Sequence, residues 1–366
     1  MYGTYLTLAV LVLLAYVLWR ASSVPALRRL PRSLFPLAGL LLALLVIIGR
    51  WLDHRAWGSG GAALDFASWT LSGSIFLSFA CLFPVDLLTG FGLFCRGRAA
   101  RLRGWALLAG CLLSLLALFQ GMRPPAVSRH EVELPGLGRE LDGTRLAVIS
   151  DLHLGKLLGP GWLAARVAQV RALKPDMILF LGDLFEGHGE PAAAFLPELE
   201  KLSALLGIWA VDGNHEMNGH RARRAGGGDL LPTLRDCAVE PAPGLFVAGR
   251  RSILSHGRET RSPWSPDARR SGGAWILMSH VPSGAEAAAR AGVGLMLAGH
   301  THGGQLWPLS LLTRRVFPLT AGRYRVGGMT VLVSRGTGNW GPRMRLWRRA
   351  EIMLVVLKRA RVTSDK

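Results

Sequence analysis

Four long apolar stretches in the first third of the chain constrain its fold more than any other feature. They lie at about Tyr2–Trp19, Leu34–Trp51, Ala67–Leu88 and Gly104–Gln120. Each approaches the ~20 residues that an α-helix needs to cross the hydrocarbon core of a bilayer. The sequence therefore predicts a membrane domain of about four transmembrane helices in residues 1–123. Pro124 and Pro125 cannot continue a helix and mark its end.

The loops between these stretches differ in basic residues, which predicts an orientation. The first loop holds Arg20, Arg28, Arg29 and Arg32, the third holds Arg96, Arg98, Arg101 and Arg103, and the second holds Arg50 and Arg55. Basic loops stay in the cytoplasm. We therefore expect an integral protein of a bacterial inner membrane whose catalytic domain faces the extracytoplasmic side. Asp86 lies near the end of the third stretch, and we interpret it as an interfacial residue rather than a functional intramembrane acid.

The net charge of +19 suits anionic partners. No helix-turn-helix, zinc-finger or RNA-binding signature accompanies the charge, which argues against nucleic acid. Membrane lipid and a phosphate-bearing substrate are the partners that we expect, and the sequence leaves the oligomeric state open. Of the four cysteines only Cys237 lies downstream of the apolar region, so the downstream domain has no internal disulfide.

The downstream region alternates apolar strand patterns with helical patterns. Strands are predicted at Arg145–Ser150, Met177–Leu181, Ile208–Val211, Trp275–Met278 and Gly294–Leu297, and helices at Pro160–Leu173 and about Pro191–Leu206. The first three strands and the two helices form a βαβαβ rhythm, which indicates an α/β fold. In such folds ligands bind where the carboxyl ends of strands meet the loops.

A polar cluster follows each of these five strands. The clusters are Asp151-Leu152-His153, Gly182-Asp183, Gly213-Asn214-His215-Glu216, Ser279-His280 and Gly299-His300-Thr301-His302. Their carboxylate, amide and imidazole groups are numerous enough to hold two metal ions. This mixed donor set favours Mn, Fe or Zn over Ca or Mg. The sequence thus predicts a metal centre at the carboxyl edge of the sheet.

The five clusters, in this order, resemble the metal-binding blocks of the calcineurin-like metallophosphoesterases over about residues 142–357. Three further motifs are similar to the YkuE/YaeI-like branch of bacterial phosphodiesterases: Gly303-Gly304-Gln305, Arg335-Gly336-Thr337-Gly338 and Ala350-Glu351-Ile352. The resemblance implies two packed mixed β-sheets flanked by helices, preceded here by the transmembrane helices. It also implies a catalytic domain at 142–366, with residues 124–141 as a linker.

The resemblance also implies roles for individual residues. Asp151, His153 and His302 would hold the first ion, Asp183 would bridge both ions, Asn214, His280 and His300 would complete the second, and His215 would be the general acid. The implied activity is hydrolysis of a phosphate ester, as a phosphodiesterase acting on a lipid-linked or envelope-related substrate, by attack of a metal-bridging hydroxide. The alternative is a membrane sensor or binding module whose phosphoesterase fold is catalytically silent. No residue is assigned to substrate binding.

Three loops keep two interpretations each. Glu186 and His188 follow Gly182-Asp183, and we expect a solvated loop there rather than a substrate contact. The segment Leu306–Leu312 is unusually apolar, and core packing is favoured over docking on lipid. Residues 255–273 are rich in Ser, Pro, Gly and Arg, which predicts a mobile loop near the mouth of the site. The alternative is a segment that dips into the membrane or covers the substrate.

Overall fold

The computed structural model describes residues 2–53, 58–186, 192–217, 229–251, 253–255, 258–260 and 272–360. Residues 188 and 256–257, and residues 261–271 of the predicted mobile loop, lie outside these ranges. The chain divides into two compact units. The helical unit comprises Met1–Arg123, Leu306–Pro308 and Gly341–Arg348, and the α/β unit comprises the remaining residues.

The helical unit contains four long helices. These are α1 (Tyr2–Ala21), α2 (Leu34–Asp53), α3 (Gly58–Leu88) and α4 (Arg96–Met122). All four are long and apolar enough to cross a membrane, as the sequence predicts. Helices α3 and α4 begin about eight or nine residues before the apolar stretches that identify them, and α3 continues through Pro84. Their exposed side chains include many leucines, such as Leu40, Leu44 and Leu112, which suits a lipid solvent.

A buried ion cluster joins three of these helices. Asp86 of α3 is fully buried and lies 2.5 Å from Arg20 Nε of α1 and 2.7 Å from Arg103 Nε of α4. Tyr16 also donates its hydroxyl to this carboxylate. Neighbouring helices thus enclose the Asp86 side chain and supply its counter-charges, which the sequence did not reveal. Its interfacial position stays a prediction. The cluster gathers the end of α1, the end of α3 and the start of α4.

Two short segments from the later part of the chain also pack within the helical unit. Leu306, Met344 and Leu346 form a buried cluster with Leu77 of α3 and Ala117 of α4. The segments approach closely because small helix residues face them. A Cβ added at Gly121 would lie 2.4 Å from the carbonyl oxygen of Arg343, and one added at Gly73 would lie 2.6 Å from Met344 Sδ.

The α/β unit is built from two mixed sheets flanked by helices. The first has the strand order β1-β13-β2-β3-β4 and the second β11-β12-β10-β9-β6-β5, while β7 and β8 form a separate hairpin. The strands are β1 (Ala126–Leu134), β2 (Arg145–Ile149), β3 (Met177–Phe180), β4 (Ile208–Ala210), β5 (Cys237–Ala242), β6 (Leu245–Arg250), β7 (Ile253–Ser255), β8 (Arg258–Thr260), β9 (Ala274–Ser279), β10 (Leu295–Ala298), β11 (Gly322–Val326), β12 (Met329–Val333) and β13 (Glu351–Arg359). The helices are α5 (Pro160–Ala172), α6 (Leu196–Leu199), α7 (Asn214–Met217), α8 (Ala285–Arg290) and α9 (Leu309–Val316).

Apolar residues from both sheets form one shared core. Leu146 and Val148 of β2 belong to the same buried cluster as Ile276 of β9 and Leu297 of β10. Strands β2, β3 and β4 are parallel to one another, as are β9 and β10. The carboxyl ends of each parallel set therefore meet at one sheet edge.

Two expectations from the sequence are corrected here. Residues 124–141, expected to be a linker, contain β1, which pairs in parallel with β13 and buries Val132 and Leu134. The helix expected at 191–206 is reduced, within the described residues, to a short 3₁₀ turn and the four-residue α6. Pro197 lies in the first turn of α6, where its ring is tolerated at a helix start but would break a longer helix.

Candidate metal centre

The described strand ends deliver all the predicted site residues to one place. Asp151 and His153 follow β2, Asp183 follows β3, Asn214 and His215 follow β4, His280 follows β9, and His300 and His302 follow β10. Imidazoles, carboxylates and an amide in this number form a donor set suited to transition-metal ions. Most of them lie in two groups of three.

The first group consists of Asp151, His153 and His302, all buried, with one potential ligand atom from each within 4.8 Å of the others. The Nε2 atoms of His153 and His302 lie 3.2 Å apart, and His302 Nε2 lies 3.6 Å from Asp151 Oδ1. The Asp151 carboxylate is oriented by the hydroxyl of Ser150 and by the backbone N–H of His300 at 3.1 Å.

The second group consists of Asp183, His280 and His300, again within 4.8 Å. His280 Nδ1 lies 2.7 Å from the carbonyl oxygen of Leu181 and donates to it, which leaves Nε2 as the ligand atom. That Nε2 lies 3.2 Å from both Asp183 Oδ2 and His300 Nδ1, and 3.1 Å from Asn214 Oδ1. Asn214 therefore belongs with this group.

Asp183 lies between the two groups. Its Oδ2 is 3.2 Å from His280 Nε2 in the second group and 3.9 Å from His153 Nε2 in the first. Its Oδ1 accepts the backbone N–H of His215 at 2.9 Å, which fixes the carboxylate plane. A carboxylate with two oxygens in this place is suited to bridging two cations.

Glu186 is the site residue that the sequence interpretation missed. Its Oε2 lies 2.7 Å from His153 Nδ1, and its carbonyl oxygen lies 2.9 Å from His215 Nδ1. The carboxylate aims Nε2 of His153 at His302, and the carbonyl holds the ring of His215. A third group of potential ligand atoms, one each from Glu186, His153 and His215, also lies within 4.8 Å of one another. The solvated-loop interpretation is therefore wrong for Glu186, although a carboxylate three residues after Asp183 was a visible signal.

Glu216 holds the turns after β3 and β4 together. Its carboxylate accepts backbone N–H groups from Asp183, Leu184 and Gly213, each at 2.8 Å. Such buried donors need acceptors, and a carboxylate satisfies several at once. Burial, with the nearby charge of Asp183, raises the pKa of Glu216, and these backbone hydrogen bonds oppose the rise.

The backbone around the site is held in an unusual conformation. The φ angle lies between 49° and 71° at five of the seven predicted metal ligands, namely Asp151, His153, Asp183, His300 and His302. Non-glycine residues rarely adopt this left-handed region, and clusters of such residues mark functional sites. Glycines accompany them where space is short, since a Cβ at Gly213 would lie 2.1 Å from Asp183 Oδ1.

Charges within the site shift its pKa values in opposite directions. Burial alone would raise the pKa of Asp183, but the histidines around it, His280 foremost, hold it well below its usual range. Burial likewise opposes protonation of His280 and His153, yet the carboxylates of Asp183 and Glu186 raise their pKa values to about 10 and about 9. Burial, with the charge of His280, lowers the pKa of His300 to about 3.

The Arg335–Gly338 and Ala350–Ile352 motifs hold the backbone next to the first metal group. The backbone N–H of Thr337 donates to the carbonyl of Ser150 at 2.7 Å, and that of Gly338 donates to the carbonyl of Asp151 at 3.0 Å. A Cβ at Gly338 would lie 2.1 Å from the carbonyl oxygen of Leu152, so this position requires glycine. Glu351 accepts from the guanidinium of Arg335 at 2.6 Å, which fixes the start of this loop.

The arrangement can be compared with known proteins. Residues 144–304 match the family model of the calcineurin-like phosphoesterases. The chain contains a calcineurin-like metallophosphoesterase domain. This family carries a dinuclear divalent metal centre, and the two groups around Asp183 are its candidate ligands in this domain.

Proteins that are similar to this chain include two from animals and one from a bacterium. A transmembrane protein with metallophosphoesterase domain from Danio rerio is 30% identical over 276 residues, and one from Bos taurus is 30% identical over 283. Each match covers 70% of this chain and 62% of the relative, so the chain spans less than two thirds of their length. The metallophosphoesterase YkuE of Bacillus subtilis is 26% identical over 63% of this chain and 85% of its own.

Proposed function

We propose that this protein is a metal-dependent phosphoesterase, and specifically a phosphodiesterase, that acts from a membrane anchor. The observation that carries the proposal is the position of Asp183, whose carboxylate lies 3.2 Å from His280 and 3.9 Å from His153. One carboxylate in contact distance of two separate histidine groups is what a dinuclear centre requires.

The donor set assigns ligands to two divalent cations, for which we propose Mn, Fe or Zn. Asp151, His153 and His302 would hold one ion, Asn214, His280 and His300 would hold the other, and Asp183 would be shared. Two bound cations supply neutralisation of the phosphoryl oxygens and activation of water as the nucleophile. Ser150, Glu186 and Glu216 orient the ligands and their turns.

His215 is the proposed general acid. Its Nδ1 lies against the carbonyl of Glu186, which only accepts, so Nδ1 carries a proton and Nε2 is the atom that exchanges one. The ring of His215 lies edge-on to His153, with centroids 4.8 Å apart, next to the first metal group. Protonation of the leaving oxygen from Nε2 would complete ester cleavage.

The substrate that we propose is a lipid-linked or envelope-related phosphate ester, because membrane-spanning helices tether the site. A catalytically silent sensor is the competing function. The presence of all seven predicted ligands and His215 in one cluster favours the enzyme, since a silent site has no need of them.

We also propose that the α/β unit lies on the extracytoplasmic side. The Arg20–Asp86–Arg103 cluster supports this orientation, because it places the end of α1 and the start of α4 at the same end of the helical unit, next to the basic loops. Cys95 and Cys237 are both exposed and offer a test. In single-cysteine variants, an impermeant maleimide should label Cys237 in intact cells and Cys95 only after permeabilisation. The reverse pattern would refute the orientation.

The activity is tested with bis(p-nitrophenyl) phosphate and p-nitrophenyl phosphate, using detergent-solubilised protein and added Mn²⁺. The wild type should hydrolyse the diester faster, and Asp183→Asn should abolish turnover of both esters. Asp142→Asn is the matched control, because Asp142 is exposed and precedes β2, at the edge opposite the metal centre. Metal-replete wild type without turnover of either ester would favour the sensor.

The role of His215 is separated by the leaving group. His215→Ala should lose ~10²–10⁴-fold with phenyl phosphate esters, the range typical of general acids. The loss should be much smaller with p-nitrophenyl esters, because p-nitrophenolate leaves without protonation. An equal loss for both leaving groups would assign His215 to phosphate positioning instead.

A further inference from the structure

Helix α9 (Leu309–Val316) carries an apolar face that the described protein leaves exposed. Leu309, Leu312 and Val316 are 38%, 60% and 63% exposed, and no residue of the helix is buried. Their i, i+3, i+7 spacing places the three side chains on one side of the helix. Single exposed leucines are ordinary on protein surfaces, but a grouped apolar face points to an interaction.

The charges on α9 indicate what covers this face. Arg314 and Arg315 are exposed in its last turn, and the sequence of the helix contains no acidic residue. Trp307, just before the helix, is also exposed. An apolar face with arginines and a neighbouring tryptophan is typical of helices that lie in the headgroup region of anionic bilayers.

The chain connects α9 directly to a segment of the helical unit. Residues 306–308 belong to the helical unit, where Leu306 is buried with Leu77 and Ala117. Helix α9 begins at the next residue, and consecutive Cα atoms are ~3.8 Å apart. The first residue of α9 is therefore covalently bonded to a segment that belongs to the helical unit.

The same helix adjoins the metal centre. Ser310 packs on Gly304, which is two residues after His302. A Cβ added at Gly304 would lie 2.3 Å from Ser310 Cα. At the other end Phe317 packs edge-on against the ring of His300, with centroids 5.2 Å apart. A molecule held along α9 is thus next to two of the proposed ligands.

We propose that the exposed face of α9 docks in the headgroup layer of an anionic bilayer, and that the ester cleaved at the metal centre is carried by a lipid of that layer. The second half rests on the proposed phosphoesterase function, whereas the first does not. Core packing, expected for the 306–312 segment, is confirmed for Leu306, whereas the leucines of α9 are exposed and their docking on lipid is the proposal.

Docking is tested without any turnover. The full chain, with its four cysteines replaced by alanine, receives one spin label through Leu312→Cys and is reconstituted in phosphatidylglycerol/phosphatidylcholine bilayers. Leu205→Cys is the matched control, because Leu205 is 89% exposed and precedes β4, at the edge opposite the metals. We expect the label at 312 to be at least several-fold better shielded from a water-soluble nickel relaxant than the label at 205. Equal accessibility would overturn the docking.

The substrate class is tested with two esters that share a leaving group. Hexadecyl p-nitrophenyl phosphate in the same bilayers is compared with water-soluble methyl p-nitrophenyl phosphate. We expect kcat/KM to favour the lipid ester at least tenfold, and Leu309→Gln/Leu312→Gln/Val316→Gln to reduce that ratio several-fold, while Leu205→Gln leaves it unchanged. No preference in the wild type, or an unchanged ratio in the triple variant, would overturn the lipid assignment. Hydrolysis of neither ester would instead contradict the proposed function, and the spin-label result would still decide the docking.

Discussion

Both units of the protein bury charged side chains, but they balance the charges differently. In the helical unit Asp86 lies between Arg20 and Arg103, which are permanent cations fixed to neighbouring helices. In the α/β unit Asp151 and Asp183 lie among histidines, which exchange protons and bind metals. The first arrangement is complete within the chain and joins helices. The second is built from groups that change their charge or ligand, and is therefore suited to chemistry.

The two units also differ in which side chains they expose. Helices α2 and α4 expose leucines and bury polar residues such as Arg103 and Ser114, whereas the α/β unit buries its apolar strands between two sheets. Each unit is thus matched to its own solvent. Helix α9 is the exception in the α/β unit, because it follows the outward-apolar pattern of the membrane helices.

The largest effect on stability is expected from a substitution that breaks the ion cluster of the helical unit. Asp86→Ala leaves two buried arginines without their counter-charge and should destabilise the unit by about 3–5 kcal/mol. Thermal unfolding in detergent measures the change, with Ser114→Ala as the control, since its hydroxyl only contacts the carbonyl of Gly110 in its own helix. Replacing Arg20, Asp86 and Arg103 together by apolar residues should recover most of the loss. A single variant no worse than Ser114→Ala would show that the charges carry little stability.

A smaller effect on stability is expected from Glu216 of the α/β unit, a hydrogen-bond acceptor that is not itself a proposed metal ligand. Glu216→Gln places an amide NH₂ against backbone donors of Asp183 and Gly213, and should cost about 1.5–3 kcal/mol. Glu240→Gln is the control, because Glu240 accepts one exposed backbone N–H, from Gly244. Unfolding followed by tryptophan fluorescence compares the two. Equal midpoints would mean that the turns after β3 and β4 do not depend on Glu216.

Glu186 tests whether the metal centre needs an oriented histidine. Glu186→Gln weakens the contact with His153 Nδ1 and should lower Mn²⁺ affinity ~10–100-fold, about 1.4–2.7 kcal/mol. Calorimetric titration of metal-free protein measures this without turnover. Glu198→Gln, which removes only the surface pair with Lys201, should leave the affinity unchanged. Unaltered affinity in Glu186→Gln would return this residue to the solvated loop that the sequence suggested.

The smallest effect concerns a histidine outside the site. Burial lowers the pKa of His130 in β1 below its usual value, so the unfolded chain takes up this proton more readily than the folded one. Stability contributed here is present above pH ~6.5 and is lost as pH falls through the folded pKa. The loss should stay below ~1 kcal/mol, because the ring is only half-buried. His130→Gln should remove this part of the pH dependence in thermal unfolding between pH 7.5 and 5, and an identical profile would contradict it.

The sequence was informative wherever one local pattern had one physical meaning. Apolar length alone predicted four helices that are long and apolar enough to cross a membrane, because the bilayer sets a minimum span. Five strands each ending in Asp, Asn or His indicated a metal centre, because parallel strands bring their carboxyl ends together. The α/β architecture of two mixed sheets was likewise recognisable from those motifs.

The sequence failed where the partner of a residue lies far along the chain. Residues 124–141 looked like a linker, since pairing of β1 with β13 joins residues more than 200 positions apart. Glu186 looked solvated, because only the fold brings it to His153. The ion pairs of Asp86 were not foreseen, because its arginines lie on other helices. By itself the sequence determined which segments are long and apolar enough to enter a bilayer and which residue types gather at a sheet edge, since both depend on local composition and periodicity. Only the tertiary structure decided which charges are paired, how each histidine is oriented and which apolar residues stay exposed, because burial and contact are properties of the packed chain.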